Sequence, residues 1–66
     1  MQIVVNGETT AVSEGTTLTE LIGTLQLAGQ RLAIELNGDI VPRSRWSEVR
    51  LNGGDRAEIV RAIGGG

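Results

Sequence analysis

The chain opens on a period of two. Ile3 and Val5 alternate with Gln2, Val4 and Asn6, and alternate residues of a strand point to opposite faces, so this segment is predicted as a strand with Ile3 and Val5 inward. Asn6-Gly7 is the preferred dipeptide of a two-residue type I′ turn. Glu8-Thr9-Thr10-Ala11-Val12 then returns as a second strand, and Ser13-Glu14-Gly15-Thr16 is a loop by composition. At Thr17 the period changes. Thr17-Leu18-Thr19-Glu20 has the hydroxyl-to-glutamate spacing of a capping box. Leu18, Leu21, Ile22 and Leu25 fall at i, i+3, i+4 and i+7, one apolar face of a helix. Gly29 is the expected C-terminal stop. Gly23 costs the helix about 1 kcal/mol relative to alanine and marks close packing or an exposed turn.

Alternation resumes at Leu32, Ile34 and Leu36, whose outward partners are Ala33, Glu35 and Asn37. Asn37-Gly38 is a second turn. Ile40-Val41 is a short extended piece ended by Pro42, which has no N–H to give a sheet. Arg43-Ser44-Arg45-Trp46 reads as a turn or short 3₁₀ segment, Val49-Arg50-Leu51 as a short strand, and Asn52-Gly53-Gly54-Asp55 as a third turn. Residues 56–63 form the last strand, and Gly64-Gly65-Gly66 follow.

The order ββαβ(β)β is α+β. One amphipathic helix must cover one face of a mixed four- to five-stranded sheet, because neither buries its apolar side alone. That arrangement is the ubiquitin-like β-grasp, with the first and last strands parallel at the centre. Residues 1–63 make the domain and residues 64–66 a flexible glycine tail. The expected core is Ile3, Val5, Leu18, Leu21, Ile22, Leu25, Ile34, Leu36 and Ile59. Val4 and Val60 then fall on the uncovered face. They are expected to sit close together as a small docking surface bordered by Arg56, Glu58 and Arg61. Trp46 is expected in the core or a satellite of it, with Arg43 and Arg45 solvated. The hydroxyls of Ser13, Thr16, Thr17 and Thr19 serve caps and turns.

Composition narrows the chemistry. With 66 residues and no cysteine, histidine, tyrosine or phenylalanine, the chain lacks a thiol nucleophile, an imidazole base and thiolate or imidazole metal ligands. Serine and threonine have no imidazole to activate them, so an autonomous enzyme is not expected. The net charge is −2, Trp46 is the single aromatic residue, and no basic cluster exceeds Arg43-Ser44-Arg45. That pattern disfavours nucleic acid. No apolar stretch approaches the roughly 20 residues that span a bilayer, and the N-terminus reads as a strand rather than a signal peptide. A soluble, cytoplasmic protein, monomeric when free, is expected. All six basic residues are arginine, so no lysine amine is available for the chain to build isopeptide-linked chains on itself.

The tail is the chemically suggestive segment. Glycine has no Cβ, so Gly64 and Gly65 make a thin segment with free torsions that can thread a narrow active site of another protein. The reactive group would be the carboxylate of Gly66. Together with this tail, Val41-Pro42-Arg43-x-x-Trp46, preceded by Asn37-Gly38-Asp39-Ile40, and Gly54-Asp55 leading into the last strand form a specific pattern. With it the whole chain resembles the sulfur carrier family of thiamine biosynthesis, ThiS. The third glycine, Gly64, is one more than that pattern needs.

The resemblance implies that the chain is a sulfur-carrying co-substrate with no catalytic residues or bound cofactor of its own. An E1-like adenylyltransferase (ThiF type) would use ATP and magnesium to adenylate Gly66. A sulfur donor, such as a persulfide from a cysteine desulfurase, would convert the adenylate to a thiocarboxylate. Thiazole synthase (ThiG type) would accept that sulfur while building thiazole. Two other readings share the fold: a ubiquitin-like protein modifier or molybdopterin-type sulfur carrier using the same activation, and a non-catalytic interaction module with an inert tail.

Overall fold

The computed structural model describes residues 1–62. A five-stranded mixed sheet has the order β2-β1-β5-β3-β4. Its strands are β1 (Gln2–Val5), β2 (Glu8–Ala11), β3 (Leu32–Leu36), β4 (Asp39–Val41) and β5 (Arg56–Arg61). The first and last strands are neighbours and parallel, with Val4 opposite Arg56 and Val5 opposite Ala57. All other pairs are antiparallel. Among the described residues one α-helix, α1 (Leu18–Thr24), packs on one face, and Arg43–Arg45 form a 3₁₀ turn. This is the β-grasp that the alternation pattern predicts.

Both Asn-Gly turns have the backbone their sequence demands. Asn6 and Gly7 have φ of 49° and 83°, and Asn37 and Gly38 of 52° and 90°. Positive φ at both central positions is the type I′ signature, whose twist matches the flanking strands.

Helix α1 starts at its capping box. The Thr17 N–H donates to Glu20 Oε1 at 2.9 Å, and the Glu20 N–H donates to Thr17 Oγ1 at 3.1 Å. The backbone bond from Thr17, then its hydroxyl, and at a distance the Arg50 guanidinium hold the Glu20 carboxyl below its ordinary range. The helix ends earlier than Gly29. Leu25 is the C-cap and Gln26 takes the left-handed conformation at φ 61°. The Gln26 N–H donates to Gly23 O at 3.0 Å and the Leu27 N–H to Ile22 O at 2.9 Å. Those two bonds are the Schellman motif, closed here by a glutamine where glycine usually stands. Gln26→Gly removes the Cβ penalty of the left-handed state and is expected to stabilise the domain by about 0.5–1 kcal/mol. Urea denaturation checks it, and a loss of stability would show that the Gln26 side chain contributes more than its backbone costs. Gly23 is exposed, with open space where a Cβ would lie, so it marks an exposed turn rather than close packing.

The core consists of Ile3, Val5, Leu18, Leu21, Ile22, Ile34, Trp46, Leu51 and Ile59, with Ala57 also buried. Leu25 and Leu36, expected inside, are half-buried and pack against its margin. Trp46 belongs to the core, and its Nε1 donates to Val41 O at 2.8 Å. Arg43 is exposed yet engaged: its guanidinium carbon lies 5.3 Å from the Trp46 ring centroid, and Nη2 donates to Gln30 O at 2.9 Å. Arg45 pairs with Glu48 at 3.2 Å on the surface.

Val49-Arg50-Leu51 is not a strand. Only an isolated bridge joins Arg50 to Thr17. The Leu18 N–H donates to Val49 O at 3.1 Å and the Leu51 N–H to Thr16 O at 2.8 Å. The segment is therefore spent on the entry to α1, and Leu51 anchors it in the core.

Candidate functional site

The sheet face opposite α1 is built by strand alternation. Because Ile3, Val5, Ala57, Ile59 and Ile34 are buried, their neighbours turn outward. Val4, Arg56, Glu58, Val60, Ala33 and Glu35 therefore share the uncovered face. Ile40 joins them through its pairing with Glu35.

The parity expected for Val4 and Val60 is correct, but their proximity is not. Val4 lies opposite Arg56, whereas Val60 lies opposite Ala33 of β3. Val60 lies four steps along β5 from Arg56, which at strand rise is about 13 Å. The two valines form no common patch. β1 turns away at Asn6, so nothing from β1 reaches the level of Val60. Arg61 is also displaced from the expected border. It pairs with Leu32, which packs against the core, so by alternation it leaves on the helix side.

The outer surface near the end of β5 has a different make-up. Val60 and Ile40 are the two large hydrophobic residues most exposed among the described residues, at 57% and 72%. Between them along the face Glu58 lies opposite Glu35. Like charges on directly paired strand positions oppose one another, and among the described residues neither carboxylate has an ion-pair partner. The face is thus apolar at Val60, Ala33 and Ile40 and acidic at Glu35 and Glu58. Sequence alternation put Ala33 and Glu35 outward; it did not bring Ile40 beside them, because that needs the register of β4 on β3.

The root of the tail is held from β3. The Ala62 N–H donates to Arg31 O at 3.0 Å, one step beyond the Leu32–Arg61 pair. Gly64, Gly65 and Gly66, and the boundary expected after residue 63, lie outside the described residues. Among the described residues no three acidic side chains converge to hold a metal ion. The shallow hollow beside Trp46 is lined by Thr19, Ile22, Ala28, Gly29 and Arg43 and contains no carboxylate. No helix of the described residues is long and apolar enough to cross a membrane.

The model of the ThiS family matches residues 2–66. The chain belongs to the ThiS family. It is 32% identical to the sulfur carrier protein ThiS of Escherichia coli K12, with the whole of both chains covered. It is 42% identical over 66 residues to a thiazole synthase of Paramagnetospirillum magneticum, of which it covers 20%. It thus spans about a fifth of the length of the thiazole synthases it matches, a second being that of Magnetococcus marinus at 39% identity. The crystal structure of the thiamine biosynthesis protein ThiS from Geobacter metallireducens superimposes with a TM-score of 0.87 at 32% identity, covering all of both chains. The Val41-Pro42-Arg43-x-x-Trp46 pattern, one part of the family resemblance, lies in the structure as a packing unit.

Proposed function

We propose that this protein carries sulfur for thiamine biosynthesis on the carboxylate of Gly66. The observation that supports this reading most is the whole-chain ThiS match that includes the closing glycines. The chemistry follows from what the chain has and lacks. A carboxylate is a poor electrophile, and no imidazole or thiol is present to help it. Activation therefore falls to a partner, an E1-like adenylyltransferase of ThiF type using ATP and magnesium. The Gly66 carboxylate attacks the α-phosphorus, pyrophosphate leaves, and the acyl-adenylate forms. A persulfide from a donor such as a cysteine desulfurase displaces AMP. A partner thiol then cleaves the acyl disulfide, is itself oxidised, and leaves a thiocarboxylate. Thiazole synthase of ThiG type takes up the sulfur and the carboxylate returns. The thiazole synthase relatives that contain a segment similar to the whole of this chain support that partner.

The outer face supplies the docking surface in this scheme. Val60 gives it an apolar anchor, and Glu35 with Glu58 favours a basic partner surface. Arg56 flanks the patch toward Val4, while Arg61 lies on the helix side of the sheet, outside the patch. Val60→Asp is expected to weaken binding to the activating enzyme about tenfold or more. At 57% exposure it costs the fold less than about 1 kcal/mol. Titration calorimetry beside thermal melts separates the two effects. An unfolded variant, or one with unchanged affinity, would remove Val60 from the interface.

The function itself is tested by intact mass spectrometry after incubation with the adenylyltransferase, ATP and a sulfur source. A species heavier by the difference between sulfur and oxygen, alkylated at Gly66, supports the carrier. Adducts on other proteins would instead favour a modifier, and an unchanged carboxylate would exclude sulfur transfer.

A further inference from the structure

We infer that Asn6 is a positioning residue that grips the last strand and fixes where the tail leaves the sheet. The role in presenting the tail rests on the carrier reading above; the grip itself rests on geometry. In a strand, successive residues aim their N–H and C=O groups at opposite neighbours. Even-numbered residues of β5 face β3: Arg56 O accepts from the Asn37 N–H, and the Ala62 N–H donates to Arg31 O. Odd-numbered residues face β1. The Asn6 N–H donates to Ala57 O at 2.9 Å and closes the last backbone rung there.

One rung further on, Ile59 presents both its backbone groups to the side that β1 has just left. A continuing parallel strand would meet them with the carbonyl of residue 6 and the N–H of residue 8. The type I′ turn sends both elsewhere. The Asn6 side chain takes their place: the Ile59 N–H donates to Asn6 Oδ1 at 2.7 Å, and Asn6 Nδ2 donates to Ile59 O at 3.1 Å. A carboxamide has one acceptor and one donor at about the spacing of a peptide group, so it extends the ladder by one rung without extending the strand. These are contacts across 53 residues of sequence. Asn37, in the matching position of the second Asn-Gly turn, accepts from the Arg56 N–H at 2.9 Å at the far end of β5. The two turn asparagines thus hold β5 at its first residue and at its fourth of six, and on the β1 side Asn6 makes the grip nearer the tail, across the strand from the Ala62–Arg31 bond to β3.

Asn6→Gly tests this, with Asn37→Gly as its matched control. Glycine keeps the left-handed turn in both, so only the side-chain bonds are lost. In Asn6→Gly the Ile59 amide is expected to exchange its hydrogen about tenfold faster or more, with the Leu21 amide unchanged. In Asn37→Gly the Ile59 amide is expected to keep its wild-type rate. With the adenylyltransferase, Asn6→Gly is expected to raise the KM for the carrier about fivefold or more while kcat stays within about twofold, because a mobile root lowers the fraction of chains presenting the tail correctly. Equal Ile59 exchange in the two variants would overturn the grip. Faster exchange with an unchanged KM would overturn the positioning role. If the wild-type chain is itself not adenylated, the carrier reading fails and the positioning role with it, while the exchange difference still decides the grip.

Discussion

Gly65→Val and Gly66→Val are expected to cut adenylation about a hundredfold or more, while each variant is expected to melt within about 2 °C of wild type. The expectation comes from width and torsion. In the carrier reading proposed above, a Gly66 carboxylate oxygen must reach the α-phosphorus of a nucleotide held in another protein, so the last residues would have to pass through whatever channel leads there. A valine adds two methyl groups on Cβ, widens the chain at that point and restricts it to the torsions of a β-branched residue. The core cluster of Ile3, Leu18, Leu21 and Ile34 is built from residues that precede the tail in sequence, so the fold is expected to be kept. Pyrophosphate release measures the loss, and circular dichroism establishes that the domain is intact. Gly65→Ala is the graded companion, adding one methyl and expected to fall between. A folded Gly65→Val variant that releases pyrophosphate at the wild-type rate would show that the tail is not threaded through a confined channel.

How much of this was legible before the structure depends on how local each determinant is. The two Asn-Gly turns read correctly because the turn imposes positive φ on two adjacent residues and the dipeptide answers both demands. The start of α1 read correctly for the same reason: a capping box is complete within four residues. The end of α1 did not, because Gln26 sits where the motif normally places glycine, and the motif's bonds, Gln26 to Gly23 and Leu27 to Ile22, identify it only once the backbone is seen. Face assignments along each strand were right, since alternation is local. Their alignment between strands was not. Val4 and Val60 share a face, yet the register of β1 on β5 pairs Val4 with Arg56. The patch proposed for docking is therefore Val60, Ala33 and Ile40 with the Glu35–Glu58 pair rather than Val4 with Val60. Asn6 was read as a turn residue alone, because its side chain acts on a residue 53 positions away and nothing in a dipeptide reports that.

Trp46→Ala is expected to cost about 3–5 kcal/mol. A domain of 66 residues holds only about 3–10 kcal/mol in total, so the variant should be largely or wholly unfolded at 25 °C. Trp46 is 5% exposed and joins three parts of the chain. Its indole N–H donates to Val41 O of β4, and its own carbonyl accepts from the Thr19 N–H in the first turn of α1 at 3.3 Å. Its ring carries the Arg43 guanidinium, which reaches on to Gln30 O before β3. Alanine leaves a cavity, takes the indole donor from Val41 O and leaves Arg43 with nothing to stack on. Trp46→Phe keeps most of the apolar volume and loses the indole donor, so an intermediate loss of about 1–3 kcal/mol is expected. Far-UV circular dichroism with urea titration measures both, and a Trp46→Ala domain within 1 kcal/mol of wild type would show that the site collapses around the gap. The size of the expected loss gives the Val41-Pro42-Arg43-x-x-Trp46 pattern its physical meaning. With β4 only three residues long, the connection from β4 to β5 has little sheet to hold it. The pattern anchors that connection in the core through Trp46.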